Sequence, residues 1–183
     1  MKKGFAVLAG VFALAVVSSC AWADVAINAE NFPDELFRAY ITSEYDRNRD
    51  GVLDEDEMNL RYKSDKVTIR NKEFTSLRGI EYLKGMKTLE VFTTHYPGDE
   101  YISEIDLRGL DNLESFTVRQ YKKMSSINVN GLSSLKTLSC SGVDLVNLDF
   151  RNCPALTQRH MQRKSARLSG FYGLSCARDT ELQ

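Results

Sequence analysis

Histidine is nearly missing from this chain: of 183 residues, only His95 and His160 carry an imidazole. Hydrolytic chemistry needs a nucleophile with a positioned base, or a metal with an open coordination place. His95 lies in a polar stretch with no acid or nucleophile at motif spacing, so no enzyme is expected. Cysteine is scarce as well, with four residues and no C-x-x-C pair, which leaves little support for zinc or redox chemistry. Excess positive charge is absent too. Lys and Arg total 24 against 25 Asp and Glu, so the whole-chain balance makes no electrostatic case for nucleic acid or anionic membranes. Beyond the N-terminus no apolar run reaches the roughly 20 residues of a spanning helix.

The N-terminus does carry an apolar run. Lys2 and Lys3 supply a positive start, Phe5 to Val17 is apolar, and Ala21-Trp22-Ala23 fits a small-x-small cleavage site. Residues 1–23 are therefore expected to be a secretory signal, with the exported chain starting at Asp24. A second processing route stays open, because Val17-Ser18-Ser19-Cys20 resembles a bacterial lipobox. Acylation there would tether the protein to a membrane through Cys20, the one way in which a membrane enters this reading. Either route leaves Cys140, Cys153 and Cys176 in an oxidising compartment, where at most one intramolecular disulfide can form among them.

The run Asp46-Arg47-Asn48-Arg49-Asp50-Gly51-Val52-Leu53-Asp54-Glu55-Asp56-Glu57 places hard oxygen donors at the offsets of an EF-hand loop. Calcium takes six to eight oxygens at about 2.3–2.6 Å. Asp46, Asn48 and Asp50 occupy loop positions one, three and five. Gly51 at six permits the sharp turn, and Val52 at seven offers its carbonyl. Asp54 at nine acts directly or through water, and Glu57 at twelve closes the shell with both oxygens. An entering helix is expected from Pro33, its first residue, through the apolar stripe Leu36, Phe37, Tyr40 and Ile41. A short exiting helix is expected from Glu55 to Tyr62. No second loop of this form occurs. A paired calcium switch is thus disfavoured, and a structural ion of weak affinity, on the order of 10⁻⁴–10⁻³ M, is expected, with an extracytoplasmic buffer or sensor as the alternative.

Beyond Lys63 the sequence repeats. Ile102, Ile105, Leu107, Leu110, Leu113, Phe116 and Val118 align with Met124, Ile127, Val129, Leu132, Leu135, Leu138 and Cys140, at an offset of 124 − 102 = 22. A degraded copy begins at Leu145, and an earlier one runs through Ile80, Leu83, Met86, Leu89 and Val91. Each such unit has one apolar face that it cannot bury alone, so stacked coils must share a core.

This spacing resembles bacterial leucine-rich repeats. Together with Asn31-Phe32-Pro33-Asp34 and the acidic loop, it resembles secreted bacterial proteins that join one EF-hand-like cap to such repeats. The resemblance implies an α+β fold, a helical EF-hand-like cap followed by a short, irregular leucine-rich-repeat solenoid. The asparagine that normally follows each strand is replaced by Thr94, Tyr121 and Val143. The expected division is 1–23 signal, 24–63 helix-loop-helix, 64–157 repeats and 158–183 a C-terminal cap or tail.

Alternation turns Leu89, Val91, Phe116, Val118, Leu138 and Cys140 inward. It leaves Glu90, Phe92, Ser115, Thr117, Arg119, Thr137, Ser139 and Ser141 outward, with Tyr121 at the rim. Glu90, Phe92, Thr117, Arg119, Tyr121, Ser139 and Ser141 are the candidate partner-binding residues. Phe92 and Arg119 are the anchors, since aromatics and Arg dominate binding hot spots. The expected function is an exported calcium-binding interaction module whose partner is a protein or a surface glycan.

Overall fold

Alternation of apolar and polar residues becomes strand after strand in the computed structural model of the chain, which describes residues 23–70, 73–94 and 101–162. The expected signal up to Trp22, with Cys20, and also His95, Cys176 and the rest of the segment after residue 162 lie outside the described residues.

The N-terminal part contains strand β1 (Val25–Ala26), helix α1 (Glu35–Glu44), strand β2 (Val52–Leu53) and helix α2 (Glu55–Met58). Strands β1 and β2 pair antiparallel, Val25 opposite Leu53. Helix α1 starts at Glu35, two residues later than expected. Asp34 precedes its first turn, because the Asp34 carboxylate accepts the Phe37 N–H at 2.7 Å and so caps the helix. Phe37 and Ile41 face the core. Helix α2 is half its expected length. Leu60 takes a left-handed conformation, φ 54°, and turns its side chain into the core, which ends the helix before Tyr62.

The chain then coils through β3 (Lys66–Arg70), β4 (Thr88–Phe92), β5 (Glu104–Asp106), β6 (Ser115–Arg119), β7 (Ser126–Asn128), β8 (Thr137–Ser141), β9 (Asn147–Asp149) and β10 (Gln158–Gln162). One parallel sheet has the order β10-β8-β6-β4-β3 and the other β5-β7-β9. Registers repeat without slippage: Leu89, Phe116 and Leu138 stack across neighbouring strands, as do Ile105, Ile127 and Leu148.

The expected α+β architecture, a helical cap leading into a leucine-rich-repeat solenoid, is therefore corrected. The described chain is mostly sheet, with two short helices and a parallel β-solenoid-like arrangement in which both broad sides of the coil are strands. The reason is local. Ile105-x-Leu107 and Ile127-x-Val129 place apolar residues two apart between polar neighbours, which is a strand's period and not a helix's. Asx turns then close each of these strands. The side-chain oxygens of Asp106, Asn128 and Asp149 accept the N–H of Arg108, Asn130 and Arg151 at 3.1 Å in three successive coils.

The inward rows are completely enclosed. Leu89, Val91, Phe116, Val118 and Leu138 are all inaccessible to solvent, and Leu107, Leu110, Leu113, Leu132 and Leu135 fill the corners between the sheets. Each such side chain contributes about 1.5–3 kcal/mol relative to exposure, so neighbouring coils hold one another. The coil length is written again on the surface: Lys136 pairs with Glu114 at 2.6 Å across 22 residues.

The N-terminal part is clamped to the first coil. Asp34 accepts hydrogen bonds from both the N–H and the hydroxyl of Thr75 at 2.6 Å. The Gly85 N–H donates to the Met58 carbonyl at 3.0 Å. Phe32 packs on Tyr82, ring centroids 5.6 Å apart, over Gly79. Any Cβ at Gly79 would lie 2.3 Å from the Phe32 ring, and φ there is +103°, so only glycine fits.

Candidate metal centre

The acidic loop leaves α1, turns at Gly51 and returns through β2 into α2. Gly51 sits at φ +81° with open space where a Cβ would point, so it is the backbone angle, not crowding, that calls for glycine. The carboxylate of Asp46 accepts the N–H of Asp50 at 3.2 Å and of Gly51 at 3.0 Å. Asn48 Oδ1 accepts the Asp50 N–H at 3.0 Å, and its Nδ2 donates to Asp50 Oδ2 at 2.9 Å. Asp50 Oδ1 accepts the Val52 N–H at 2.9 Å.

Glu57 closes the loop on itself. Its Oε1 accepts the N–H of Arg47 at 2.6 Å, and its Oε2 accepts that of Asp54 at 3.1 Å. Asp54 Oδ1 accepts the Glu57 N–H at 2.9 Å in return, so Asp54 and Glu57 form the capping box of α2. The second and last residues of the loop thus meet across ten positions of sequence, Arg47 to Glu57.

Two of the acids are buried. Asp46 is 5% exposed and Glu57 2%, yet neither forms an ion pair among the described residues. Burying a charge is costly unless hydrogen bonds compensate it, and here the compensation comes from backbone N–H groups of the loop itself. All of the candidate donors are hard oxygens, which suits Ca²⁺ and not a softer metal. Their present placement is a loop bonded to its own amides. Among the described residues no three His, Cys, Asp or Glu side chains come together as a metal-holding group.

Tyrosines line the back of the loop. Tyr62 donates its hydroxyl to the Tyr45 carbonyl and lies under the Arg47 guanidinium, 5.5 Å from its ring centroid. Burial, then the negative charge of Glu57 and Asp54, pushes the Tyr62 phenol up to about 12, with Arg47 opposing. Lys63 bridges Glu44 at 2.7 Å and stands 4.4 Å from the Tyr45 ring centroid.

The second set of candidate residues lies on the outer face of the five-stranded sheet. Registers bring Glu90, Thr117 and Ser139 into one row and Phe92, Arg119 and Ser141 into the next. Tyr121 does not belong with them. It is 1% exposed and its ring is among the largest buried side chains, because the chain turns inward after Gln120, which takes φ 61°. The rows are also longer than the sequence indicated. Thr68 and His160 extend the first, and Arg70 the second. Strand β3 carries a signal that the repeat reading missed, Val67 and Ile69 alternating with Lys66, Thr68 and Arg70. Strand β10 carries none, since Arg159 and Met161 fill its inward places.

Cys140 and Cys153 are both buried free thiols. Burial pushes the Cys140 thiol up to about 12, which makes it a packing residue and not a nucleophile. Cys153 is 3.0 Å from the Val129 carbonyl, to which its thiol donates. Comparison with known proteins adds no family: no family model matches the chain, and no curated protein matches it.

Proposed function

We propose that this is an exported calcium-binding protein in which one ion braces the acidic loop and the β-solenoid presents an interaction face. One observation carries the reading. Asp46 and Glu57, at the first and twelfth places of a calcium-type loop, are both buried, and neither forms an ion pair among the described residues. Asp46, Asn48, Asp50, the Val52 carbonyl, Asp54 and Glu57 are the residues that would hold the ion. A bound Ca²⁺ supplies two positive charges where the loop concentrates negative ones. The chain's own part is to hold Gly51 in its turn, dock Leu53 in the core and fasten Glu57 to the start of α2. The function proposed is binding, without a catalytic step, and export rests on the N-terminal sequence pattern.

Isothermal titration of the purified protein with Ca²⁺ tests this. One ion per chain is expected, with affinity on the order of 10⁻⁴–10⁻³ M, and Glu57→Gln should abolish the heat. A titration with no stoichiometric site, or an unchanged one in the variant, removes calcium from the account. Micromolar affinity with a large conformational change would instead make the protein a buffer or sensor.

A further inference from the structure

The outer face of the five-stranded sheet combines short hydroxyl side chains with cations. Its central strands present Thr88, Ser115, Thr117, Thr137, Ser139 and Ser141, a field of short hydroxyl side chains in register. Cations frame it. Lys66, Arg70 and Arg119 stand outward, and among the described residues Glu90 is the one carboxylate in these rows, already paired with Lys66 at 2.9 Å. Arg70 and Arg119 have no acidic partner among the described residues. On the three-stranded sheet the balance is different. Arg108 and Arg151 are each neutralised by the aspartate two residues before, Asp106 and Asp149, at 2.6 and 2.7 Å. The whole chain carries a formal net charge of −1, so the cationic character of the outer face is a matter of placement.

Phe92 sits between the two arginines. It is half-buried, pairs in register with Arg70 on one side and Arg119 on the other, and holds the Arg70 guanidinium 5.5 Å from its ring centroid. Neighbouring strands lie about 4.8 Å apart, so the row Arg70, Phe92, Arg119 places two cationic ends about 10 Å apart at the backbone, around an aromatic ring.

We propose that this face binds an anionic polysaccharide, with Arg70 and Arg119 taking its carboxylate or sulfate groups and Phe92 supporting the sugar between them. The inference rests on the interaction-face part of the reading above and names the partner class. Guanidinium groups match planar and tetrahedral oxyanions with paired N–H donors. The hydroxyl field supplies donors and acceptors to sugar hydroxyls. A protein partner fits less well, because Ser is depleted in protein–protein interfaces and Ser and Thr are under-represented among hot spots.

The test is binding of the purified protein to immobilised hyaluronan, dextran sulfate, neutral dextran and poly-glutamate, each with and without Ca²⁺. Binding to hyaluronan, dextran sulfate or both, weakened by salt, is expected, with dextran and poly-glutamate far weaker. Arg70→Gln and Arg119→Gln, both exposed, should each lower affinity about tenfold, as loss of one charge-assisted contact implies. Arg108→Gln and Arg151→Gln, in the turns that close strands of the other sheet, should leave it unchanged. Equal binding to neutral dextran or to poly-glutamate, no binding to either anionic sugar, or equal loss from variants on both sheets would overturn the proposal. A protein that takes the anionic sugars yet gives no heat with Ca²⁺ keeps this face and loses the ion. The converse result keeps the ion and overturns the face.

Discussion

Gly85 lies against the backbone of Asn59 so closely that a Cβ on it would stand 2.0 Å from the Asn59 carbonyl oxygen. That approach lets the Gly85 N–H reach the Met58 carbonyl at 3.0 Å, and so joins the end of α2 to the first coil. Gly85→Ala has no flexible neighbour to displace. It should destabilise the protein by about 1–3 kcal/mol, read as a lower urea midpoint. An unchanged midpoint would mean that the two parts are not held together here.

Asp34 joins the same two parts from the other side, and its contribution depends on pH. Burial alone pushes its carboxyl up, but hydrogen bonds from the Thr75 hydroxyl and from the N–H groups of Phe37, Thr75 and Ser76 together outweigh this and hold it below the ordinary value of 3.8. A lowered carboxyl stabilises the fold above the unfolded-state value and loses that stabilisation as pH falls through the folded-state value. Asp34→Ala should therefore cost about 1–3 kcal/mol at neutral pH, from the lost cap and the Thr75 bonds. The gap between wild type and variant should narrow only below about pH 3.8. A gap of constant size down to pH 2 would contradict this account.

Tyr62 reports on the charge of the loop. Its phenol, pushed up to about 12 by burial and by Glu57, Asp54 and Asp46 against Arg47, adds stability that is complete below the ordinary value of 10 and lost as pH rises from there toward 12. An ultraviolet difference titration of wild type against Tyr62→Phe should show one late-titrating phenol. Saturating Ca²⁺ should move that phenol downward, because the ion offsets the negative charges that raise it. No movement in a protein shown to bind Ca²⁺ would place the ion away from these acids.

Phe116 and Thr117 are adjacent in β6 but belong to opposite sides of the sheet. Phe116 is wholly buried and Thr117 faces outward. Phe116→Ala should cost about 3–5 kcal/mol through the cavity it leaves, whereas Thr117→Ala should stay within about 0.5 kcal/mol. Denaturant unfolding of the pair checks the register directly, and comparable losses from both would mean that the strand is turned over.

Much of the coil was legible from particular residues. Phe116-x-Val118 and Leu138-x-Cys140 announce inward rows by their spacing, and the strands form there with the expected faces buried. The second sheet was hidden because Ile105 and Leu107 fit a loop of the repeat as well as a strand, until Asp106 and Asn128 are seen to end equivalent strands. Strand β10 was hidden for a different reason. It is the last described strand in the order of its sheet, so its inward places tolerate Arg159, whose guanidinium covers the Phe150 ring at 5.6 Å. Tyr121 was misplaced because a single left-handed residue, Gln120, redirects the chain, and nothing in a side-chain pattern marks such a turn when glycine is not used.

By itself the sequence determined what depends on spacing along one strand or one turn: the 22-residue repeat, the inward rows, and oxygen donors at the offsets of a twelve-residue loop. Those are properties of near neighbours, for which period and residue type suffice. Only the tertiary structure decided that both broad sides of the coil are sheets, that Asp46 and Glu57 lose their solvent, and that Arg70, Phe92 and Arg119 stand in one row. Each of these depends on which distant segment arrives alongside, and that is set by how whole coils close over a shared apolar core.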